Sequence, residues 1–290
     1  MRYIIKIYLN LVSIFNCIYL NLKINFFEKN KKFIFFYFLK SAKDEDLKSI
    51  ENYLKKYKNF KVIYGSTQFL KSNYFIIKPL YLKMVFGLKI FMSNYVCDNF
   101  PWKTENYYLH HDIYDTPLLE KKKEYGLVKR LSFYNQILIP SSKSLKVFNK
   151  LFFKAKKKPK IRIIGEYPKL TYIEKFYKKS ERINLNNNCV IIAPSGIRGI
   201  PKLSMRHYFE KVISLLLKEN FKVIFRPHPS DRNSKEILDI REKFKKDSHF
   251  TLDFSSSYIK KYLSSSLMIT DYSGTAYTYS TVSYTHLRAH

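Results

Sequence analysis

Acidic residues are scarce in this chain of 290: 23 Asp and Glu stand against 53 Lys and Arg, a formal net charge of +30. A charge of that sign and size attracts anions such as a nucleotide diphosphate, a phosphate polymer or an acidic membrane surface. It does not by itself indicate a nucleic-acid binder. Lys, Asn, Ile, Phe and Tyr are abundant together while Gly, Ala and Pro are sparse, the joint bias that AT-rich coding produces. The charge therefore reads first as solvated surface, second as contact with membrane or anionic polymer, and no nucleic-acid partner is expected. Cysteine is also rare. Cys17, Cys97 and Cys189 lie far apart with no paired spacing, which excludes a disulfide framework and a zinc site and suits a reducing compartment. Internal repeats are absent. Disorder is excluded as well, because 46% of the residues are hydrophobic and 17% aromatic.

An uninterrupted long apolar run is lacking too. The N-terminal MRYIIKIYLNLVSIFNCIYLNLKINFF is broken by Lys6, Asn10, Asn16, Asn21 and Lys23, and no small-residue cleavage site follows it. It reads first as a strand-helix opening of a domain or a helix lying against one. A membrane-surface helix is the second reading, and a span or signal the third. At the other end, VSYTHLRAH (residues 282–290) resembles a translated sequencing adapter and is set aside as a non-native tail, so that the chain is expected to be a fragment.

Between these ends the pattern alternates. KKFIFFYFL has the length and apolarity of a buried strand. DEDLKSIENYLKKYK spaces Leu47, Ile50 and Leu54 as a helix does, with acids in its first turn, and FKVIYG is a second strand. Strand, helix and strand of this size form a βαβ unit, hence a parallel sheet. KIFMSNYV, QILIP and KIRIIG continue the strands, and SSKSLKVFNKLF is a helix with a serine cap. After the polar linker FYKKSERINLNNN a second α/β unit begins. Its strands are NCVIIAP, FKVIFRPHP, FTLDF and LMITDYSG, interleaved with the helices HYFEKVISLLLKEN, SKEILDIREKFKKD and SSSYIKKYLSSS. The expected organisation is a Rossmann-like domain over residues 1–175 and a second over 176–281.

Ligands of open parallel sheets bind beyond the carboxyl ends of the strands, and three strands of the second unit end in unusual loops. In RPHP, Pro227 and Pro229 hold His228 in extended backbone, and Arg226 and His228 both donate to phosphate oxygens. The competing reading is a rigid turn in which Ser230 or Asp231 caps the next helix. In TDYSGT, Asp271 ends a strand, and Ser273, Gly274 and Thr275 start a helix whose free N–H groups attract an anion; a plain serine cap is the alternative. In APSGIRG, Ser195 lines a phosphate and Arg198 reaches it, or the segment is only a surface loop. The first unit carries YLHHDIYDTPLL, where His110 and His111 stand near Asp112 and Asp115. A general base is one reading and a structural histidine pair another. A metal site lacks further ligands at suitable spacing, and none is expected.

VIFRPHP followed by LMITDYSG resembles the CDP-glycerol glycerophosphotransferase family of teichoic-acid polymerases and primases. IIAPS and RIIGEYPKL are similar to that family's Ala-Pro-Thr strand and Gly-Tyr-Pro-Arg segment, and HHDIYDTPLL to its Trp-His-Gly-Thr-Pro-Leu stretch. The resemblance covers roughly residues 105–281. It departs in His-His-Asp for Trp-His-Gly, in extra residues before Thr-Pro-Leu, and in Gly274 for a second serine. It implies an α/β, GT-B fold whose second domain is incomplete here. It implies catalytic roles for His111, as base, and His228. Donor phosphates would be held by Arg226, His228, Ser273, Gly274 and Thr275, with Asp271, Ser195 and Arg198 around them. The implied donor is CDP-glycerol or a similar nucleotide-activated compound, the acceptor a lipid-linked precursor or polymer, and the product CMP, with no tightly bound cofactor. A cytoplasmic location, peripheral at the inner face of an anionic membrane, is expected. The rival expectation is a GT-B sugar transferase that uses a CMP- or UDP-sugar for capsule or lipopolysaccharide.

Overall fold

The run KFIFFYF becomes strand β1 (Lys32–Phe38), and six of its seven residues are buried. Because side chains alternate along a strand, the run feeds two cores. Phe33, Phe35 and Tyr37 enter one cluster, with Cys17, Leu20 and Ile24. Ile34, Phe36 and Phe38 enter another, with Tyr74, Met92 and Leu109. A strand apolar on both faces belongs inside a parallel sheet covered on both sides. Here it pairs in parallel with β2 (Phe60–Ser66) on one edge and β4 (Ile90–Ser93) on the other. Gly65 of β2 has no room for a side chain, since a Cβ there would overlap the ring of Phe35.

The computed structural model describes residues 2–38, 50–52, 54, 56–67, 74–110, 121–165, 170–171, 173–175, 186–196, 207–255, 258–271 and 273–287. The chain divides into two compact units, Met1–Tyr172 and Ile173–His290. Unit 1 holds a seven-stranded sheet in the order β3-β2-β1-β4-β5-β6-β7. Its remaining strands are β3 (Tyr74–Ile76), β5 (Glu105–Leu109), β6 (Gln136–Ile139) and β7 (Lys160–Ile163), and every pairing is parallel. The order reverses between β1 and β4, as in a Rossmann sheet. Among the described residues the unit opens not with a strand and helix but with one helix, α1 (Arg2–Leu22), continued by a π-helical turn (Lys23–Phe27). Ser13, Cys17, Leu20 and Ile24 on its inner side are buried. The strands β3 and β5 have no counterpart in the apolar pattern read above, because β3 is only three residues long and β5 mixes Glu, Asn and Tyr. Helices α2 (Lys121–Leu131) and α3 (Ser142–Leu151) complete the unit, and the expected serine cap of α3 is Ser141, whose side chain accepts from the Ser144 N–H. Of the proposed helix DEDLKSIENYLKKYK (residues 44–58), residues 44–49, 53 and 55 lie outside the described residues.

Unit 2 alternates as its sequence suggests: β8 (Asn186–Ile192), α4 (Phe209–Lys218), β9 (Lys222–Phe225), α5 (Lys235–Phe244), β10 (Phe250–Leu252), α6 (Ile259–Leu263), β11 (Ser265–Ile269) and α7 (Thr275–Leu287). Helix α4 stops at Asn220, whose left-handed φ of 59° lets Asn220 donate to the Leu217 carbonyl and Phe221 to that of Leu216. Both carbonyls would otherwise be left without a partner at the helix end. The four parallel strands run in the order β10-β9-β8-β11. Ile192, Phe209, Ile213, Val223 and Phe225 form the centre of the core between sheet and helices. Chain direction again decides where a ligand belongs. From β8 the chain moves outward through β9 to β10, then returns to the other side of β8 as β11. The reversal, and therefore the crevice, lies between β8 and β11 at their carboxyl ends. The polar linker partly joins the fold, since Asn186–Asn188 are the first residues of β8.

Candidate functional site

Three strand ends of unit 2 are tied to one another. At the reversal point, Thr270 Oγ1 donates to the Ala193 carbonyl at 2.6 Å. One residue further on, the Ser195 N–H and the Ser195 hydroxyl both donate to Oδ1 of Asp271, each at 2.7 Å. On the other side of β8, Arg226 N–H donates to the Ile192 carbonyl at 2.8 Å. Gly196 lies against the RPHP loop, where a Cβ would come within 3.2 Å of His228 Cγ and Nδ1 and 3.4 Å of Ser230 Oγ. Ser195, Gly196, His228 and Asp271, far apart in sequence, thus occupy one end of the sheet.

The two prolines act as the sequence suggests. His228 has φ −59° and ψ 139°, an extended conformation, and Pro229 starts a single 3-10 turn through Asp231. The expected capping role shifts by a few residues. It is the His228 ring that accepts from the Ser230 N–H, at 3.2 Å, while α5 is capped by Ser234, whose hydroxyl accepts from the Ile237 N–H at 3.4 Å. Because Nδ1 accepts that N–H, the proton of the neutral imidazole sits on Nε2. The Ser230 hydroxyl lies 2.7 Å from the same Nδ1 and 2.9 Å from Oδ1 of buried Asp231. The ring itself is exposed.

Arg226 is held more firmly. Its guanidinium pairs through Nη1 with Asp253 Oδ2 and donates through Nη2 to the Ser255 carbonyl at 2.8 Å, and it lies 5.8 Å from the centre of the Tyr258 ring. The two side chains are only 11% and 7% exposed. Burial alone would raise the pKa of Asp253, but hydrogen bonds from Ser255 and the charge and hydrogen bond of Arg226 outweigh it and hold the carboxyl below its ordinary value. Tyr262 of α6 joins this group. Burial pushes its phenol up to about 12, against the opposing pull of Arg226 and of a hydrogen bond with Thr275. Tyr262 thus lies near both Arg226 of the RPHP loop and Thr275 of the TDYSGT loop.

At the start of α7, Ser273 Oγ accepts from the Thr275 N–H at 3.3 Å, and the Ser273 N–H donates to the Asp271 carbonyl at 2.8 Å. The serine therefore does cap the helix, and the positive end of α7 opens beside Asp271 and Ser195. Sequence reasoning missed Asp253, Tyr262 and Ser230. Asp253 stood in plain view in FTLDF at the end of a strand. Tyr262 gave no signal, since a tyrosine in a helix next to other apolar residues reads as core. Two expected site residues, His111 and Arg198, lie outside the described residues. The neighbouring His110 follows β5 in unit 1, buried, with the Phe148 ring edge-on at 5.2 Å.

No protein-family model and no curated protein sequence matches the chain. Solved structures do. A wall teichoic acid polymerase, TagF, in a structure soaked with CDPG, superimposes with a TM-score of 0.53 at 16% identity, over 88% of this chain and 69% of that one. The fold is GT-B-like. The UDP-GlcNAc 2-epimerase of Methanocaldococcus jannaschii, solved with UDP-GlcNAc and UDP, gives 0.57 at 12% identity over 86% of this chain and 82% of its own. Staphylococcus aureus MnaA with UDP gives 0.55 at 12%, over 84% and 74%. At such identities the likeness is one of fold.

Proposed function

We propose that the chain is a nucleotide-dependent transferase that moves glycerol phosphate, or a similar alditol phosphate, from CDP-glycerol to a hydroxyl of a cell-surface polymer or its lipid-linked precursor. The observation that carries the reading is the convergence of the RPHP, APSG and TDYSGT loops at the reversal point of a parallel sheet, one loop bearing an exposed histidine and another opening a helix. In this reading the donor diphosphate lies over the start of α7. The Ser273, Gly274 and Thr275 segment supplies backbone N–H groups and hydroxyls. The Nε2–H of His228 donates a hydrogen bond to a phosphate oxygen. Arg226, fixed by Asp253, adds positive potential, and Arg198 is assigned to the same anion. Ser195 and Asp271 hold the β8 and β11 loops at the spacing the diphosphate requires.

The acceptor hydroxyl attacks the phosphorus that bears glycerol. An oxygen–phosphorus bond forms there as the bond to the bridging oxygen breaks, and CMP leaves with the electron pair. His111 is assigned the acceptor's proton, and His228 with the α7 terminus offsets the charge that grows on CMP. A sugar transferase that uses a CMP- or UDP-sugar is the second reading. It is favoured by the fold likeness to two UDP-bound structures, whose TM-scores of 0.57 and 0.55 match that of the polymerase at 0.53.

The test is release of CMP from CDP-glycerol, run beside CMP- and UDP-sugars, with His228→Ala and His111→Ala variants. CMP formed from CDP-glycerol and lost in both variants supports the donor and both roles. Turnover of a nucleotide sugar instead transfers the reading to the second one. Binding of neither donor class overturns both.

A further inference from the structure

Helix α1 turns a second apolar side away from the protein. A helix on the surface of a water-soluble protein turns its apolar stripe to the core and its polar residues to solvent. Here the side that meets the protein carries Cys17, Leu20 and Ile24 into the core, with a row of polar residues beside them. Lys78 Nζ donates to Asn10 Oδ1 at 2.7 Å and to the Lys6 carbonyl at 3.3 Å, and the Lys78 N–H donates to Ser13 Oγ at 3.1 Å. Asn16 Nδ2 reaches the Ile76 carbonyl at 3.0 Å, and Asn21 both donates to the Met84 carbonyl at 2.8 Å and accepts from the Phe86 N–H at 3.0 Å. These bonds dock the helix along most of its length against the segment from Ile76 to Phe86. On the opposite side Ile4, Leu11, Phe15, Ile18 and Leu22 form a stripe at helical spacing, exposed by 70, 62, 68, 52 and 44%. Phe26 and Phe27 extend it at 73 and 78%.

Charge points to what covers this stripe. The first 27 residues contain Arg2, Lys6 and Lys23 but no Asp or Glu, and exposed Lys29, Lys31 and Lys32 follow. We infer that α1 seats this protein on an anionic lipid surface, lying in the plane of the membrane with its apolar stripe among the acyl chains and the flanking lysines at the headgroups. The stretch Tyr3–Phe27 has the length and composition to cross a bilayer. It lies flat instead, because its inner side is bonded to unit 1 from Lys6 to Asn21, and crossing would carry Lys78 and the Pro79–Met84 turn into hydrocarbon, where unpaired polar groups cost several kcal/mol each. A second copy of the chain is the less favoured cover, since each copy carries a net charge of +30. The inference does not depend on the donor reading.

The experiment is co-sedimentation of the full chain with phosphatidylcholine vesicles, with and without phosphatidylglycerol. Variants are Ile4→Asp/Phe15→Asp/Ile18→Asp and, to remove the apolar contact without adding charge, Leu11→Ser/Phe15→Ser/Ile18→Ser. Circular dichroism melts confirm that each variant folds, as expected for exposed positions. The expected result is wild-type binding that needs phosphatidylglycerol, release of the bound protein by alkaline carbonate, and loss of binding in both variants. Vesicle binding that survives the serine variant overturns the inference. So does resistance to carbonate, which marks a spanning helix. So does a wild type that stays in the supernatant; if it then sediments in the ultracentrifuge as a dimer that the serine variant abolishes, a second copy covers the stripe.

Discussion

Ser195 gives both of its hydrogen-bond donors, the backbone N–H and the hydroxyl, to a single oxygen of Asp271, each at 2.7 Å. The two residues end neighbouring strands, β8 and β11, on either side of the point where the strand order reverses. A carboxylate that accepts two donors from one residue holds that loop in place more rigidly than a single bond does, since both must break before the loops part. Replacement of Asp271 by Ala leaves the Ser195 N–H without its acceptor. We expect a loss of about 1–3 kcal/mol in denaturant-monitored stability, together with weaker binding of CDP-glycerol by titration calorimetry. Ser195→Ala, which keeps the N–H bond, should lose less in both. Equal losses in the two variants would assign the bonding to the hydroxyl alone.

The Arg226–Asp253 pair should reveal itself through pH. The folded-state pKa of Asp253 lies below its ordinary value of 3.8. The pair's contribution is therefore complete above the unfolded pKa and falls away as the pH drops through the folded one. Asp253→Ala leaves a nearly buried guanidinium uncompensated and should cost about 3–5 kcal/mol at neutral pH. The difference between wild type and variant should shrink in acid, as measured by urea melts across the range. A constant difference down to the acid limit would mean that the pair is not ionised in the folded protein.

Gly196 tests the placement of His228 without touching the ring. In Gly196→Ala the new methyl lies within 3.2 Å of the imidazole, so that the ring must shift by a few tenths of an ångström. On the proposed mechanism the specificity constant for CMP release should fall by about tenfold, because small misplacements of a positioned group are costly. Stability should change by less than ~0.5 kcal/mol, because the ring is exposed. Activity left at the wild-type level would remove His228 from the reaction.

Gly65 offers a control in the other unit, remote in sequence from the loops. Gly65→Ala drives a methyl into the Phe35 ring, at a residue that is fully buried. The expected destabilisation is about 1–3 kcal/mol from overpacking. The double variant with Phe35→Leu should recover part of it, a coupling that a thermodynamic cycle measures directly.

Much of the fold could be read in the residues because its strands are apolar on both faces. KFIFFYF, NCVII and KVIF announce themselves without reference to their neighbours, and the helices between them carry their own spacing and serine caps. β3 and β5 were missed for the converse reason: Tyr74–Ile76 is three residues long, and Glu105–Leu109 mixes Glu, Asn and Tyr, so that neighbouring strands rather than composition make them strands. The N-terminal helix was legible as apolar, but which of its apolar residues enter the core and which stay exposed was not. Which side of α1 faces the protein depends on backbone carbonyls at Ile76 and Met84, which no pattern within residues 2–22 encodes.

The candidate site divides in the same way. The local sequence by itself determined that Pro227 and Pro229 extend the chain around His228, that Ser273 caps a helix, and that both follow apolar strands. These are short-range effects of ring closure, side-chain length and apolar periodicity. Only the tertiary structure decided that β11 returns to the far side of β8, which brings Asp271 to Ser195. Only it set Gly196 against His228, linked Arg226 to Asp253, and placed Tyr262 within reach of both Arg226 and Thr275. Those contacts join residues tens of positions apart, and strand order, which creates them, is settled by packing over the whole sheet rather than by any one segment.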